Sequence, residues 1–183
     1  MSNLIEKTLS QSTAFQGRLL RLRVDEALLP DGTTAGREVV EHPGGVGVLA
    51  LTEDEKVLLV RQFRYPYGEI LTEIPAGKRD PGEDPLNTGK RELEEETGYQ
   101  AGCYIPLGKV YPSPGYCDEI IYLYLATDLT PTAAHPDEDE FLEVEKRDLS
   151  LLVQQVLNGD ITDAKTQIAV LKAAQWLRQR KDV

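Results

Sequence analysis

The sequence predicts a layered α/β or α+β fold, in which strands on both sides of one central helix form a sheet and two terminal helices pack against it. Three observations carry this reading. Short apolar runs of strand length recur on both flanks of residues 84–98. Residues 84–98 hold both a start and a stop signal for a helix. From Leu149 onward the chain reads as two helices, the first ending at Asn158-Gly159.

The elements follow in order. Strands are expected over Leu19–Ala27, Arg37–Glu41, Val46–Leu51 and Lys56–Phe63, the last two separated by the polar turn Thr52-Glu53-Asp54-Glu55. Ile70–Ile74 is a further short strand. Asp84 reads as a helix cap with Pro85 at the first helical position, and the helix runs to Thr97 and stops at Gly98. Strands resume over Tyr104–Val110, Glu119–Ala126 and Phe141–Glu145, and the closing helices cover Leu149–Asn158 and Thr162–Gln179. The first forty or so residues have a weaker pattern, which suits either an added β layer or a dimerisation arm.

Composition bounds the function. The chain has 183 residues, 40% hydrophobic and 28% charged, which suits one compact domain with a small appended part and excludes wholesale disorder. Its net charge of −11 opposes a general nucleic-acid binder, whose affinity comes from cationic contacts. That charge is compatible with bound cations offsetting clustered carboxylates, and equally with a solvated acidic surface. Cys103 and Cys117 form neither a CxxC pair nor a zinc quartet, so reduced thiols are expected. The N-terminus lacks an apolar core of signal-peptide length, and no stretch approaches the roughly 20 apolar residues that span a bilayer. The expectation is a soluble cytoplasmic protein with no membrane partner.

The informative segment runs from Gly77 to Tyr99. On a helical wheel, Glu95 lies about 60° to one side of Glu92 and Glu96 about 40° to the other. These carboxylates therefore share an arc of roughly 100°. Leu86 and Leu93 fall on an adjacent stripe suited to packing on a sheet, and Glu94 points elsewhere, toward solvent. Glu92 and Glu96 repel at (i, i+4), and all four glutamates crowd the end of the helix where the macrodipole is already negative. Arg91 and Glu95 make one compensating pair, which is too little to neutralise the cluster. Divalent cations with oxygen ligands would do so. A merely solvated face is the plain alternative for a glutamate-rich helix. Against it stand the glycine turn and the isolated Glu83 ahead of the helix and the stop at Gly98.

Gly77, Glu83, Arg91, Glu92, Leu93, Glu95, Glu96 and Gly98 resemble the Nudix box, Gly-x5-Glu-x7-Arg-Glu-(aliphatic)-x-Glu-Glu-x-Gly-(aliphatic). Tyr99, at the final aliphatic position, is the one departure, and that position packs rather than reacts. The resemblance implies an α/β/α sandwich around a mixed sheet, with residues 1–42 as an N-terminal β extension and 43–183 as the hydrolase domain. It implies hydrolysis of a nucleoside diphosphate linked to another moiety. It also implies Mg²⁺, or Mn²⁺, held by Glu92 and Glu96, with Glu95 both a further ligand and a catalytic residue and the Ala76 carbonyl joining them. Arg91 and Glu83 would support the loop–helix geometry.

Features outside the box resemble the ADP-ribose pyrophosphatase and nucleotide-sugar hydrolase branch. Pro114 stands sixteen residues beyond Gly98, and Glu119 resembles an acidic residue near the bound nucleoside or ribose. Arg37 and Glu38 resemble the strand that meets the base and its ribose, and Arg64 the end of a strand that reaches a phosphate. A guanidinium can grip phosphate oxygens with two donors. In the acidic run Asp137-Glu138-Asp139-Glu140, the resemblance makes Glu138 the catalytic base and Glu140 a metal ligand, with Glu140 and Glu143 as rivals for the base. Tyr65, Tyr67 and Tyr116 suit either stacking on a base or packing in the core or rim. Trp176 reads as helix packing. His42 and His135 do not make a hydrolase triad, because no Gly-x-Ser-x-Gly elbow exists.

The resulting expectation is Mg²⁺-dependent cleavage of nucleoside diphosphate sugars by a homodimer, ADP-ribose favoured, giving a nucleoside monophosphate and a sugar phosphate. GDP-mannose or another nucleotide sugar is the alternative substrate. A non-catalytic sensor is the alternative class, although such domains generally lose box glutamates that this chain keeps.

Overall fold

A computed structural model gives the structure and describes residues 4–135 and 141–181. The chain divides into two compact units. The smaller takes the residues up to Gly44 together with Tyr111–Ile120, and the larger takes Gly45–Val110 and the residues from Ile121 onward.

In the smaller unit, β1 (Lys7–Gln16), β2 (Arg21–Leu28) and β3 (Thr34–Glu41) form an antiparallel sheet in that order. β2 and β3 occupy the two strand segments expected there. β1 went unrecognised in the sequence because it is exposed along its whole length, so no alternation of apolar and polar residues marks it. Segment 111–120 runs beside β3. The Val40 amide donates to the Tyr116 carbonyl at 2.7 Å, and the Asp118 amide to the Val40 carbonyl at 3.1 Å.

The larger unit holds β4 (Gly45–Leu51), β5 (Lys56–Arg64), β6 (Glu69–Glu73), β7 (Ala76–Lys78), α1 (Pro85–Thr97), β8 (Tyr99–Val110), β9 (Ile121–Pro131), β10 (Leu142–Asp148), α2 (Leu149–Asn158) and α3 (Ala164–Lys181). Its sheet has the order β10-β5-β4-β9-β8, with β6 paired to β5 and β7 to β4. β4 and β9 run parallel and the other pairs antiparallel, so the sheet is mixed, as expected.

β4 is buried at every residue because both faces of the sheet are covered. Val46, Val48 and Ala50 pack with Leu93 of α1. Leu49 and Leu51 point the other way, into a core shared with Leu149, Leu152 and Val156 of α2 and Ala169, Val170 and Ala173 of α3. The alternation of one strand thus joins the two outer layers of a sandwich. Each fully buried leucine contributes about 1.5–3 kcal/mol toward this packing.

Two local features place the site. β4 and β5 pair only at Ala50 with Leu58 and Leu51 with Val57. Beyond that point they part, and the β6–β7 segment enters between them, with Val60 opposite Glu73 and Gly47 opposite Ala76. β7, too short to carry a pattern, is therefore made by pairing rather than by propensity. α1 spans the residues that its signals predict. The Asp84 side chain accepts from the Leu86 and Asn87 amides, and Gly98 takes the left-handed conformation (φ 70°) with its N–H donating to the Glu94 carbonyl. β8 starts at Tyr99, directly after that stop and five residues before its expected start.

Among the described residues no helix is long and apolar enough to cross a membrane. Cys103 and Cys117 are free, half-buried thiols.

Candidate active site

The acidic face of α1 is buried rather than solvated. Glu92 is 7% exposed and Glu96 3%, while Glu95 is half-buried. Burying carboxylates demands compensation, and Arg91 supplies much of it. Its Nη1 lies 2.8 Å from Glu92 Oε1 and 2.9 Å from Glu95 Oε2, and its Nη2 lies 3.4 Å from Glu83 Oε2. Helical spacing alone gives Arg91 one partner, Glu95. It has three, and its Nη2 also donates to the Lys78 carbonyl at 3.3 Å. Burial lowers the Arg91 pKa, but the surrounding glutamates outweigh that and raise it. Arg91, then Thr88 and the Asp80 amide, hold Glu83 down to about 2.

The glycine turn expected ahead of the helix is instead strand β7, which closes on this face because its pairing with β4 keeps Gly77 extended. The Ala76 amide donates to Glu96 Oε2 at 3.0 Å. A Cβ on Gly77 would meet the Glu92 carboxylate carbon at 2.0 Å, so only glycine admits that side chain here. Glu94 departs from expectation. It is half-buried and accepts from Gln100 Nε2 at 2.7 Å and Thr132 Oγ1 at 3.3 Å, tying the end of α1 to the chain after β9. The His135 amide adds a bond to the Glu95 carbonyl at 2.9 Å.

A second charged cluster sits at the β5–β6 hairpin. Arg64 clasps Glu73 with Nε on Oε1 at 2.6 Å and Nη2 on Oε2 at 2.7 Å. Glu73 is 1% exposed and also pairs with Lys165, which lies 3.0 Å from Asp163. Burial pushes the Glu73 carboxyl up, yet Arg64 and Lys165 together bring it below the ordinary carboxylate range. Asp163 accepts from the Thr166 amide at 2.9 Å and hydroxyl at 2.6 Å, and Thr166 Oγ1 accepts from the Ile74 amide at 2.8 Å. The sequence reading missed Glu73, Asp163, Lys165 and Thr166. One signal was present: a lone carboxylate in the run Ile70–Ile74 needs a buried cation if the strand enters a core.

The larger unit thus brings together Ala76, Glu83, Arg91, Glu92, Glu95 and Glu96, with Arg64 held by Glu73. Arg37, Glu38 and Glu119 belong to the smaller unit. There Arg37 pairs with Glu6 at 2.6 Å, Glu38 is exposed on β3, and Glu119 Oε1 lies 3.2 Å from His42 Nδ1. Glu138 and Glu140 lie outside the described residues. Glu143, the rival base, is an exposed partner of Arg61 at 2.7 Å. Tyr65, Tyr67 and Tyr116 are exposed, which removes the core alternative for them. Trp176 packs against the core, as expected.

Among the described residues no group of three His, Cys, Asp or Glu side chains stands ready as a metal cage. The donor set nevertheless fits a hard dication. It is all oxygen, anionic and set beside the main chain of β7, and Mg²⁺ takes one or two carboxylates and keeps several waters.

Residues 41–169 match the family model for the NUDIX domain, and residues 6–40 that for the nucleoside diphosphate sugar hydrolase N-terminal domain. The chain belongs to the Nudix family and is a hydrolase; enzymes of this family generally use divalent cations. It is 42% identical over 172 residues to an ADP-ribose pyrophosphatase of Bacillus subtilis (strain 168), covering 93% of each chain. It is 46% identical over 167 residues to a protein of Bacillus methanolicus named methanol dehydrogenase activator, covering 90% of each. A crystal structure of an ADP compounds hydrolase shares the fold, with a TM-score of 0.87, full coverage of both chains and 23% identity.

Proposed function

We propose that this enzyme hydrolyses the pyrophosphate bond of nucleoside diphosphate sugars, ADP-ribose foremost, with Mg²⁺, to a nucleoside monophosphate and a sugar phosphate. One observation carries the reading: two box glutamates, Glu92 and Glu96, are buried on one helix face with Glu95 half-buried beside them, and Glu92 lies against a glycine of β7 whose missing side chain makes room for it. A sensor without turnover has no need to keep such a costly cluster. The likeness to a relative named ADP-ribose pyrophosphatase supports the choice of substrate.

Glu92, Glu96 and Glu95, with the Ala76 carbonyl and Glu140, are the proposed metal ligands. Magnesium bound there supplies positive charge against the charge that builds on the diphosphate. Glu138 takes the proton of the attacking water as the new P–O bond forms and the bridging P–O bond breaks. Arg64 grips a phosphate and keeps it in line. Arg91 and Glu83 keep the turn and helix in register. Arg37, Glu38 and Glu119 receive the nucleoside and its ribose. Residues 1–42 form a β extension that serves as the dimerisation arm of a cytoplasmic homodimer, and 43–183 form the catalytic domain.

The test is a panel of nucleotide sugars with Mg²⁺, read as monophosphate release. ADP-ribose should dominate, and GDP-mannose is the main competitor. Release from none of them refutes the reading. The relative named as an activator favours a second reading, an effect on an alcohol-oxidising dehydrogenase. Stimulation of such an enzyme by the E96Q variant, in which turnover is disabled, would favour it.

A further inference from the structure

We infer that Glu73 is a positioning residue for this site: anchored by Lys165 and the start of α3, it holds the Arg64 guanidinium in the orientation that receives a phosphate. The inference rests on the assignment of Arg64 to the diphosphate.

The pairing is selective. Directly across the hairpin from Arg64 stands Glu69, an exposed carboxylate. Arg64 instead reaches back to Glu73, whose cross-strand partner is Val60, four residues before Arg64. A surface pair with Glu69 would have avoided desolvation. Reaching Glu73 draws the guanidinium inward, where the Asp163 and Glu96 carboxylates also act on it electrostatically after Glu73 itself.

The geometry of the fork assigns the role. Glu73 occupies the Nε–Nη2 edge of the guanidinium. A guanidinium has a second two-donor edge, Nη1–Nη2, that matches phosphate oxygens equally well. With one edge clamped, the other is fixed in direction. The clamp is itself held. Lys165, balanced by Asp163, shares the Glu73 carboxylate, and Thr166 takes the next amide, that of Ile74. The Pro75 carbonyl then accepts from the Val48 amide at 2.9 Å, and the Ala76 amide reaches Glu96. Four consecutive residues, 73 to 76, thus join the phosphate arginine to β7 and its glycine. A salt bridge serving stability alone has no reason to run in series with both.

The test compares E73D with the wild type, alone and in an R64A background. Aspartate keeps the charge and withdraws it by one methylene. We expect E73D to melt within a few degrees of the wild type. Its kcat/KM for ADP-ribose should fall about 10-fold or more, carried mainly by KM, and its calorimetric Kd for ADP-ribose with the metal chelated should weaken alongside. In the R64A background the same change should cost nothing further. An equal loss in both backgrounds, or a lowered melting temperature with unchanged kcat/KM and Kd, overturns the inference. Wild-type protein that binds ADP-ribose without cleaving it would refute the hydrolase reading and leave the Kd comparison to judge Glu73.

Discussion

The Glu92 carboxylate fills the space that a side chain on Gly77 would take: a Cβ on the glycine would lie 2.0 Å from the carboxylate carbon of the glutamate. Strand β7 and helix α1 are therefore one device. The glycine is there to let a carboxylate lie flat against the main chain.

Substituting Gly77 by Ala must displace the Glu92 carboxylate. Its neighbour is the end of a flexible side chain, so the fold should yield cheaply. A displacement of about 1 Å at a catalytic group can cost about 100-fold in rate. G77A should therefore lose turnover by that order while its melting temperature stays close to the wild type. Full activity in G77A would show that Glu92 need not sit there.

Glu83 contributes a pH-dependent part of the stability. Its carboxyl is held at about 2 against an ordinary 4.5, chiefly by Arg91. A depressed folded-state pKa contributes stability that is complete above the ordinary value and disappears as pH falls through the folded value. The melting temperature of the wild type should exceed that of E83Q by a constant margin above about pH 5, and the margin should shrink toward about pH 2. A margin that does not change over this range would contradict the Arg91–Glu83 pairing.

Helix α1 was legible because its signals are local, but of its expected stripe only Leu93 enters the core, while Leu86 is half-buried and joins neither core cluster. Asp84, Pro85 and Gly98 fix its ends, and Leu93 does pack on the sheet. β4 was legible from its continuous apolar run. β1 was not, because a strand exposed on both faces has no binary pattern. β7 was not, because pairing with β4 alone creates it. At the site, the box residues were readable from spacing. The burial of Glu92 and Glu96, the three partners of Arg91 and the role of Glu94 at the helix end depend on what folds over them. The cluster of Arg64, Glu73 and Lys165 joins residues about a hundred positions apart, and no local rule reaches that far.

The cap and the stripe give separate stability tests. D84A removes the acceptor for the Leu86 and Asn87 amides and should cost about 1 kcal/mol. For a chain of this length that lowers the melting temperature by about 2–4 °C. L93A empties a fully buried site between α1 and β4 and should cost about 3 kcal/mol. If thermal unfolding ranked D84A as the more damaging, the packing account of α1 would be wrong.

Glu96 separates chemistry from fold. In E96Q the amide oxygen can still accept from the Ala76 N–H, which the wild-type carboxylate meets at 3.0 Å, so the turn keeps its anchor. The charge is lost, and with it the attraction for a dication. One negative charge fewer among buried carboxylates also relieves repulsion with Glu92 along the helix. E96Q should therefore melt at or slightly above the wild-type temperature with metal chelated, and gain less than the wild type when Mg²⁺ is added. Its kcat should fall by about 100-fold or more. The opposite pairing of results, a destabilised apoprotein with normal magnesium-dependent turnover, would mean that Glu96 serves the fold and that the metal lies elsewhere.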